Sequence, residues 1–251
     1  MKSELDSYVK ACVDDYLKFI GESEFPEFEI ITKRITLDTW KKQGYDCWAA
    51  TRYDAAADKH ILKVWEDVYL PQSKADHVMF HELTHILDAE RYAKGNNTKY
   101  MINEGFTEYH ASQIEFLKLL GASNIKDVVS FSMSQTFETI EGEKTALQLL
   151  RGIHETVVYS IEQADFPANF KIMTATLAGI FNYYGFRSIC KMYAKDFKDE
   201  IDNSAIEKFI GKKTVKALNV FMLGWLEPER VAKVDTLFGN LVIYLVQKYG
   251  L

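Results

Sequence analysis

The chain has 251 residues, 47% of them hydrophobic and 26% charged, and a net charge of −6. These proportions suit one well-buried core and argue against disorder. Acidic residues outnumber Lys and Arg by 36 to 30 and no basic stripe interleaves with aromatics, which argues against nucleic acid as a partner.

The first segment has Leu5, Tyr8, Val9, Cys12, Val13, Tyr16 and Leu17 at helical spacing, which predicts a helix over about residues 3–20. Its acids Glu4, Asp6, Asp14 and Asp15 do not fit a signal peptide, and the longest apolar stretch, Leu237 to Val246, is too short to span a bilayer. A cytoplasmic chain without membrane contact is the expectation. Cys12, Cys47 and Cys190 are widely separated, which predicts reduced thiols and no cysteine metal site.

Three strand-like segments follow: Phe28 to Thr36, Tyr45 to Tyr53 and His60 to Tyr69, the last two separated by the turn-like stretch Asp54 to Lys59. Pro71 closes this part, and Ser73 is placed to cap the next helix. Helices are then predicted over about 74–93, 99–120, 142–164, 168–183, 185–198, 203–222 and 229–249, with Pro167 and Pro228 near helix starts. Gly95-Asn96-Asn97 separates the first two. The expected class is α+β, a small N-terminal mixed sheet packed on a mainly helical body.

Residues 81–85 read His-Glu-Leu-Thr-His. On a helix, positions i and i+4 share a face, so His81 and His85 can bind one Zn²⁺, while Glu82 can reach a water at the metal without ligating it. The flanking Val78, Met79, Phe80, Leu83, Ile86 and Leu87 predict a buried helix, on which the polar motif residues need partners. Eighteen residues after His85 comes Glu104, in Asn-Glu-Gly-Phe-Thr-Glu-Tyr. That distance lets a second helix return beside the first, with Glu104 as third ligand and Glu108, one turn on, accepting a hydrogen bond from His81.

HELTH, eighteen residues and NEGFTEY together resemble the gluzincin metallopeptidases, most closely the aminopeptidase N family and more distantly thermolysin. The resemblance covers about 30 residues. It implies a zincin-like catalytic domain spanning 1–251, with a helix-and-strand region over 1–72 and an active-site helix and helical body over 73–251. It further implies one Zn²⁺ per chain on His81, His85 and Glu104, Glu82 as general base in hydrolysis of a peptide or protein substrate, and Glu108 behind a ligand imidazole. Two family features are missing. There is no Gly-x-Met-Glu-Asn stretch to hold a substrate's amino terminus. The position of the oxyanion-stabilising tyrosine falls at Asp235 or Thr236, which leaves His154, Tyr159, Tyr183 and Tyr184 as weaker candidates for that role.

An extended substrate is expected along Tyr45 to Tyr53, where Trp48 reads as a core residue. His60, His77 and His110 read as structural, and Asp88 as either a hydrogen-bond acceptor near the metal or a capping acid. A zinc-binding scaffold without catalytic activity is the alternative to the hydrolase, and a helical interaction protein without metal is the third reading.

Overall fold

A computed structural model describes residues 2–33, 49–54, 56–65, 75–139 and 142–251. The expected strand ends at Thr36 and Tyr69, the segment 45–48 with Cys47 and Trp48, and Pro71 and Ser73 lie outside the described residues.

Helix α1 (Lys2–Ile20) buries Leu5, Val9, Cys12, Tyr16 and Phe19, a stripe at three- and four-residue spacing. Gly21, at φ +76°, ends it, with both Gly21 N–H and Glu22 N–H donating to Leu17 O. The stripe packs on the motif helix: the Tyr16 and Phe80 rings meet edge to face at 5.2 Å, and the Tyr16 and Thr84 hydroxyls are 3.0 Å apart. The first helix thus fixes the depth of the second.

Strands β1 (Phe28–Lys33), β2 (Ala49–Asp54) and β3 (Lys59–Trp65) form a mixed sheet in the order β1-β3-β2. β1 runs parallel to β3, from Phe28 opposite His60 to Lys33 opposite Trp65. β2 runs antiparallel to it, joined by a turn in which Asp54 Oδ1 accepts from the Ala56 and Ala57 amides. The central strand buries both faces, and β2 is an edge among the described residues.

Helix α2 (Asp76–Asp88) carries the His-Glu-Leu-Thr-His motif and continues into a π-helical turn, Ala89–Ala93. Helix α3 (Asn97–Leu119) starts at the Asn96 cap, whose side chain accepts from Lys99 N–H. A two-stranded ribbon, β4 (Thr136–Thr139) and β5 (Gly142–Thr145), leads into α4 (Ala146–Ile161). The helix expected from residue 142 therefore begins at Ala146: its first four residues pair with β4, and Thr145 and Gln148 form a capping box.

The two helices expected over 168–183 and 185–198 are a single helix, α5 (Phe170–Tyr193), capped by Asn169. Gly185 does not break it. An added Cβ there would sit 2.3 Å from Tyr109 O and 2.8 Å from Ser112 Cβ, so this glycine lets α5 cross α3 in near-backbone contact. Conversely, the helix expected over 203–222 is two, α6 (Ser204–Ile210) and α7 (Lys212–Leu218), split by Gly211 at φ +85°. Helix α8 (Pro228–Tyr249) starts with its proline in the first turn and packs on α3, where a Cβ on Gly105 would meet Phe238 at 2.4 Å and Phe181 at 2.8 Å. The fold is α+β, with α3 central among α2, α5 and α8. Among the described residues, no helix is long and apolar enough to cross a membrane.

Candidate metal centre

Helices α2 and α3 meet on the floor of a cleft of about 900 Å³. One wall is β2, through Ala49, Ala50 and Thr51. The opposite wall is α4 and α5, through residues such as Leu149, Ile153, Thr176 and Asn182. On the floor, His81 Nε2 and His85 Nε2 point at each other across 3.0 Å. Glu108 Oε2 is 3.7 Å from His81 Nε2, and Glu108 Oε1 is 3.7 Å from His85 Nε2.

It is thus Glu108, not Glu104, that the structure brings to the two imidazoles. Both glutamates line the cleft, one helical turn apart. Which of them meets α2 depends on how far α3 has slid along its neighbour. That offset is not encoded in the spacing of the motifs; α3 also packs closely on α5 and α8, at Gly185 and Gly105. The role expected of Glu108 falls instead to Glu115, whose Oε2 lies 2.8 Å from His81 Nδ1. A carboxylate has no proton to give, so Nδ1 donates to Glu115, and Nε2 is the ring nitrogen left to face the cleft. Thr107 Oγ1 lies 2.8 Å from His85 Nδ1 and holds the second ring. Asn182, reaching across from α5, hydrogen-bonds Glu108.

Helical spacing alone makes Glu115 legible: it lies seven residues after Glu108, on the same face of α3. Asn182 has no such signal, since it arrives from a helix more than sixty residues away in sequence.

The donor set suits a metal ion. In a tetrahedral site with bonds of about 2.0–2.1 Å, neighbouring ligand atoms are roughly 3.3 Å apart. The separations of 3.0, 3.7 and 3.7 Å bracket that value. Two imidazoles and a carboxylate facing a cleft are a donor set that could hold a metal ion.

The electrostatics agree. Burial pushes the His81 imidazole down, but the carboxylates of Glu108 and Glu115 outweigh it and hold the ring well above its ordinary pKa. His85, by contrast, is pushed down by burial to about 4. Burial acts upward on Glu108, yet the two histidines and Asn182 bring it below its ordinary value. The neighbouring carboxylates therefore favour the charged form of His81, and a metal at Nε2 would replace that proton.

Searches against protein-family models, curated proteins and solved structures find no match for this chain. The site must be read from its own chemistry.

Glu82 lies on the same floor, 7% exposed, its carboxyl pushed up to about 7 by burial and hydrogen-bonded to Thr51 of the edge strand. Glu104 is also pushed up to about 7, by burial and then by the charge of Glu108.

Neither the weaker candidates for stabilising an oxyanion nor the residues at the position of the family's tyrosine lie here. Asp235 is buried against α3, where Asn103 Nδ2 donates to it, and Thr236 donates to Ala232 O. Tyr183 and Tyr184 are core residues, His154 packs on Tyr183, and Tyr159 is 69% exposed outside the cleft. The phenol that does line the cleft is Tyr100, whose oxygen accepts from Tyr53 N–H and whose own hydrogen remains free to donate.

The other polar residues are structural, apart from His77. His60 pairs with Glu90 at 3.2 Å. His110, fully buried, donates to Asp88, so Asp88 serves His110 rather than a motif histidine. His77 lines the cleft beside Glu115, 4.0 Å from its Oε1. Cys12 and Cys190 are free and buried, their thiols pushed up to about 12 by burial.

Proposed function

We propose that the chain is a zinc-dependent peptide hydrolase with a zincin-like fold, of the gluzincin type that its motifs resemble. One observation carries this reading: the two motif imidazoles and Glu108 converge on one point, with Glu82 beside them on the floor of an open cleft bordered by an edge strand. A scaffold for structural zinc would have no use for the buried Glu82 carboxylate or for the cleft.

His81, His85 and Glu108 would hold the ion. When bound, it would supply a Lewis acid for the scissile carbonyl and acidify an attacking water. Glu82 performs the proton transfers. A carboxyl that titrates near neutrality can accept a proton from water and return it to a leaving amine. Thr51 of β2 lines the same cleft and lowers the pKa of Glu82, so the base stands beside the strand along which a substrate would lie.

Along β2, the backbone groups on the side away from β3 can pair with an extended peptide, which places a peptide bond over the floor without any side-chain recognition. Tyr100, kept protonated by burial and by the neighbouring acids, can donate its phenolic hydrogen to developing negative charge.

The test is to load the purified chain with zinc and compare it with Glu82→Gln on a fluorogenic peptide library, with and without a chelator. The wild type should bind about one zinc and cleave peptides. The variant should keep the metal and lose at least about 10²-fold in turnover, the scale of general-base catalysis. Wild-type turnover in the variant would remove Glu82 from the mechanism. Zinc binding without any cleavage by the wild type would leave the scaffold reading in its place.

A further inference from the structure

We propose that the face built by α7, the loop after it and the first turns of α8 docks an acidic segment of a partner protein, which seats a large apolar side chain in a groove there. This goes beyond the hydrolase reading and does not depend on it. No residue that lines the groove also lines the metal cleft.

The groove has a volume of about 270 Å³ and is walled by Leu218 of α7, Met222 and Leu226 of the loop, and Val234 and Leu237 of α8. Its lip is apolar as well: Val220 is 54% exposed and Phe221 37%. Apolar surface that runs from the floor of a groove out over its lip marks an interaction site, unlike apolar residues scattered singly. The loop is held in shape without a ligand. The Tyr109 hydroxyl donates to Val220 O at 3.1 Å, the Tyr92 hydroxyl donates to Leu226 O at 3.3 Å, and the Arg91 guanidinium lies 4.0 Å from the centre of the Trp225 ring. A preformed groove loses little conformational freedom when it is filled.

The charge around the groove specifies the partner. The chain has a net charge of −6, yet residues 208–226 hold four lysines and no acid. Arg230 and Lys233, three residues apart on α8, both line the groove. Both are exposed, and among the described residues the side chain of neither has a hydrogen bond or ion pair. The acids nearest in sequence, Glu227, Glu229 and Asp235, do not line the groove, and Asp235 is turned towards Asn103 of α3. Two unpaired cations at the rim of an apolar floor complement carboxylates that flank an apolar anchor.

Shape separates a protein segment from other anionic partners. Small-molecule sites span about 300–1,000 Å³ and enclose most of the ligand. This groove is smaller, and its apolar surface continues outside it onto Val220 and Phe221. A bilayer receives apolar side chains that protrude into it and does not fill a concave floor. A protein segment supplies both the side chain that enters the groove and the neighbouring residues that cover the lip.

The experiment titrates the isotope-labelled full chain with four peptides of equal length, their centre Leu-Phe or Ala-Ala and their flanks glutamate or lysine. The peptide with a Leu-Phe centre and glutamate flanks should bind about tenfold or more tightly than each of the other three, and more weakly as salt is raised. The amide shifts it causes should cluster at Val220, Phe221 and the first turns of α8. Val220→Asp puts a carboxylate on the lip, and Arg230→Glu with Lys233→Glu reverses the rim. Each change should lower the affinity about tenfold or more. All three positions are exposed, so both variants should keep the wild-type urea midpoint.

Equal affinities for the four peptides, or binding of none, would overturn the proposal. So would shifts confined to the metal cleft, or selective binding that survives both variants. Vesicles of phosphatidylcholine with and without phosphatidylserine form the last arm. Retention on the phosphatidylserine vesicles that is lost in Val220→Asp, without selective peptide binding, would overturn the proposal by assigning this face to a membrane.

Discussion

Glu115 holds the Nδ1 of His81 at 2.8 Å from a position seven residues beyond Glu108 on the same helix. One face of α3 therefore supplies both the carboxylate that joins the imidazole nitrogens and the carboxylate that orients one of those rings. The two functions are coupled through a single rigid element, and a small shift of α3 would disturb both.

That arrangement predicts the consequence of removing Glu115. Glu115→Ala should weaken zinc binding by about 10–100-fold, the usual effect of losing a carboxylate behind a ligand histidine. Competition with a chromophoric chelator measures it. The loss should shrink as pH falls, because Glu115 also helps raise the pKa of His81, so its removal relieves the proton competition that the wild-type ring suffers at low pH. Unchanged zinc affinity would mean that the ring needs no such support.

Asp235 predicts a pH-dependent gain in stability. Burial pushes its carboxyl up to about 6, only partly offset by the hydrogen bond from Asn103. A raised folded-state pKa means that the folded chain holds the proton more tightly than the unfolded one. Its stabilising contribution is present below the unfolded value near 3.8 and is lost as pH rises through about 6. Asp235→Asn keeps the shape and removes the charge, so it should stabilise the chain at pH 7.5 by about 1–2 kcal/mol and make no difference near pH 3.5. Thermal or urea unfolding of both chains at the two pH values checks the sign.

Two glycines within helices should respond in opposite directions. Gly152 sits in the middle of α4 on the cleft wall, and an added Cβ there meets nothing within 4 Å. Gly152→Ala should stabilise the chain by about 0.5–1 kcal/mol through helix propensity. Gly185 is pressed against the backbone of Tyr109, so Gly185→Ala should cost about 3 kcal/mol or more and separate α5 from α3. Because Asn182 would move with α5, zinc affinity should fall as well. Urea midpoints and a zinc titration of the two variants give both readouts.

Much of this architecture is legible in the sequence because it follows from local periodicity. The stripe Leu5-Val9-Cys12-Tyr16 dictates α1, and the apolar surroundings of His81 and His85 dictate a buried motif helix with both rings on one face. Two helix boundaries differ from expectation at glycines. Gly185, at the start of an expected second helix, lies inside α5 as a close-packing site, whereas Gly211 lies within an expected helix and is a left-handed break. Only the backbone dihedral and the neighbour across the interface distinguish them.

At the site, sequence alone determined that His81 and His85 share a face, that Glu82 lies beside them, and that acids recur on one side of the following helix. These relationships lie within single helices and follow from 3.6 residues per turn. The tertiary structure decided which acid meets the imidazoles, because this depends on the offset between α2 and α3. Both helices also pack on elements distant in sequence, α2 on α1 and α3 on α5 and α8, and no spacing within the motifs records the offset. The same packing brings Asn182 to Glu108 and sets β2 along the wall of the cleft.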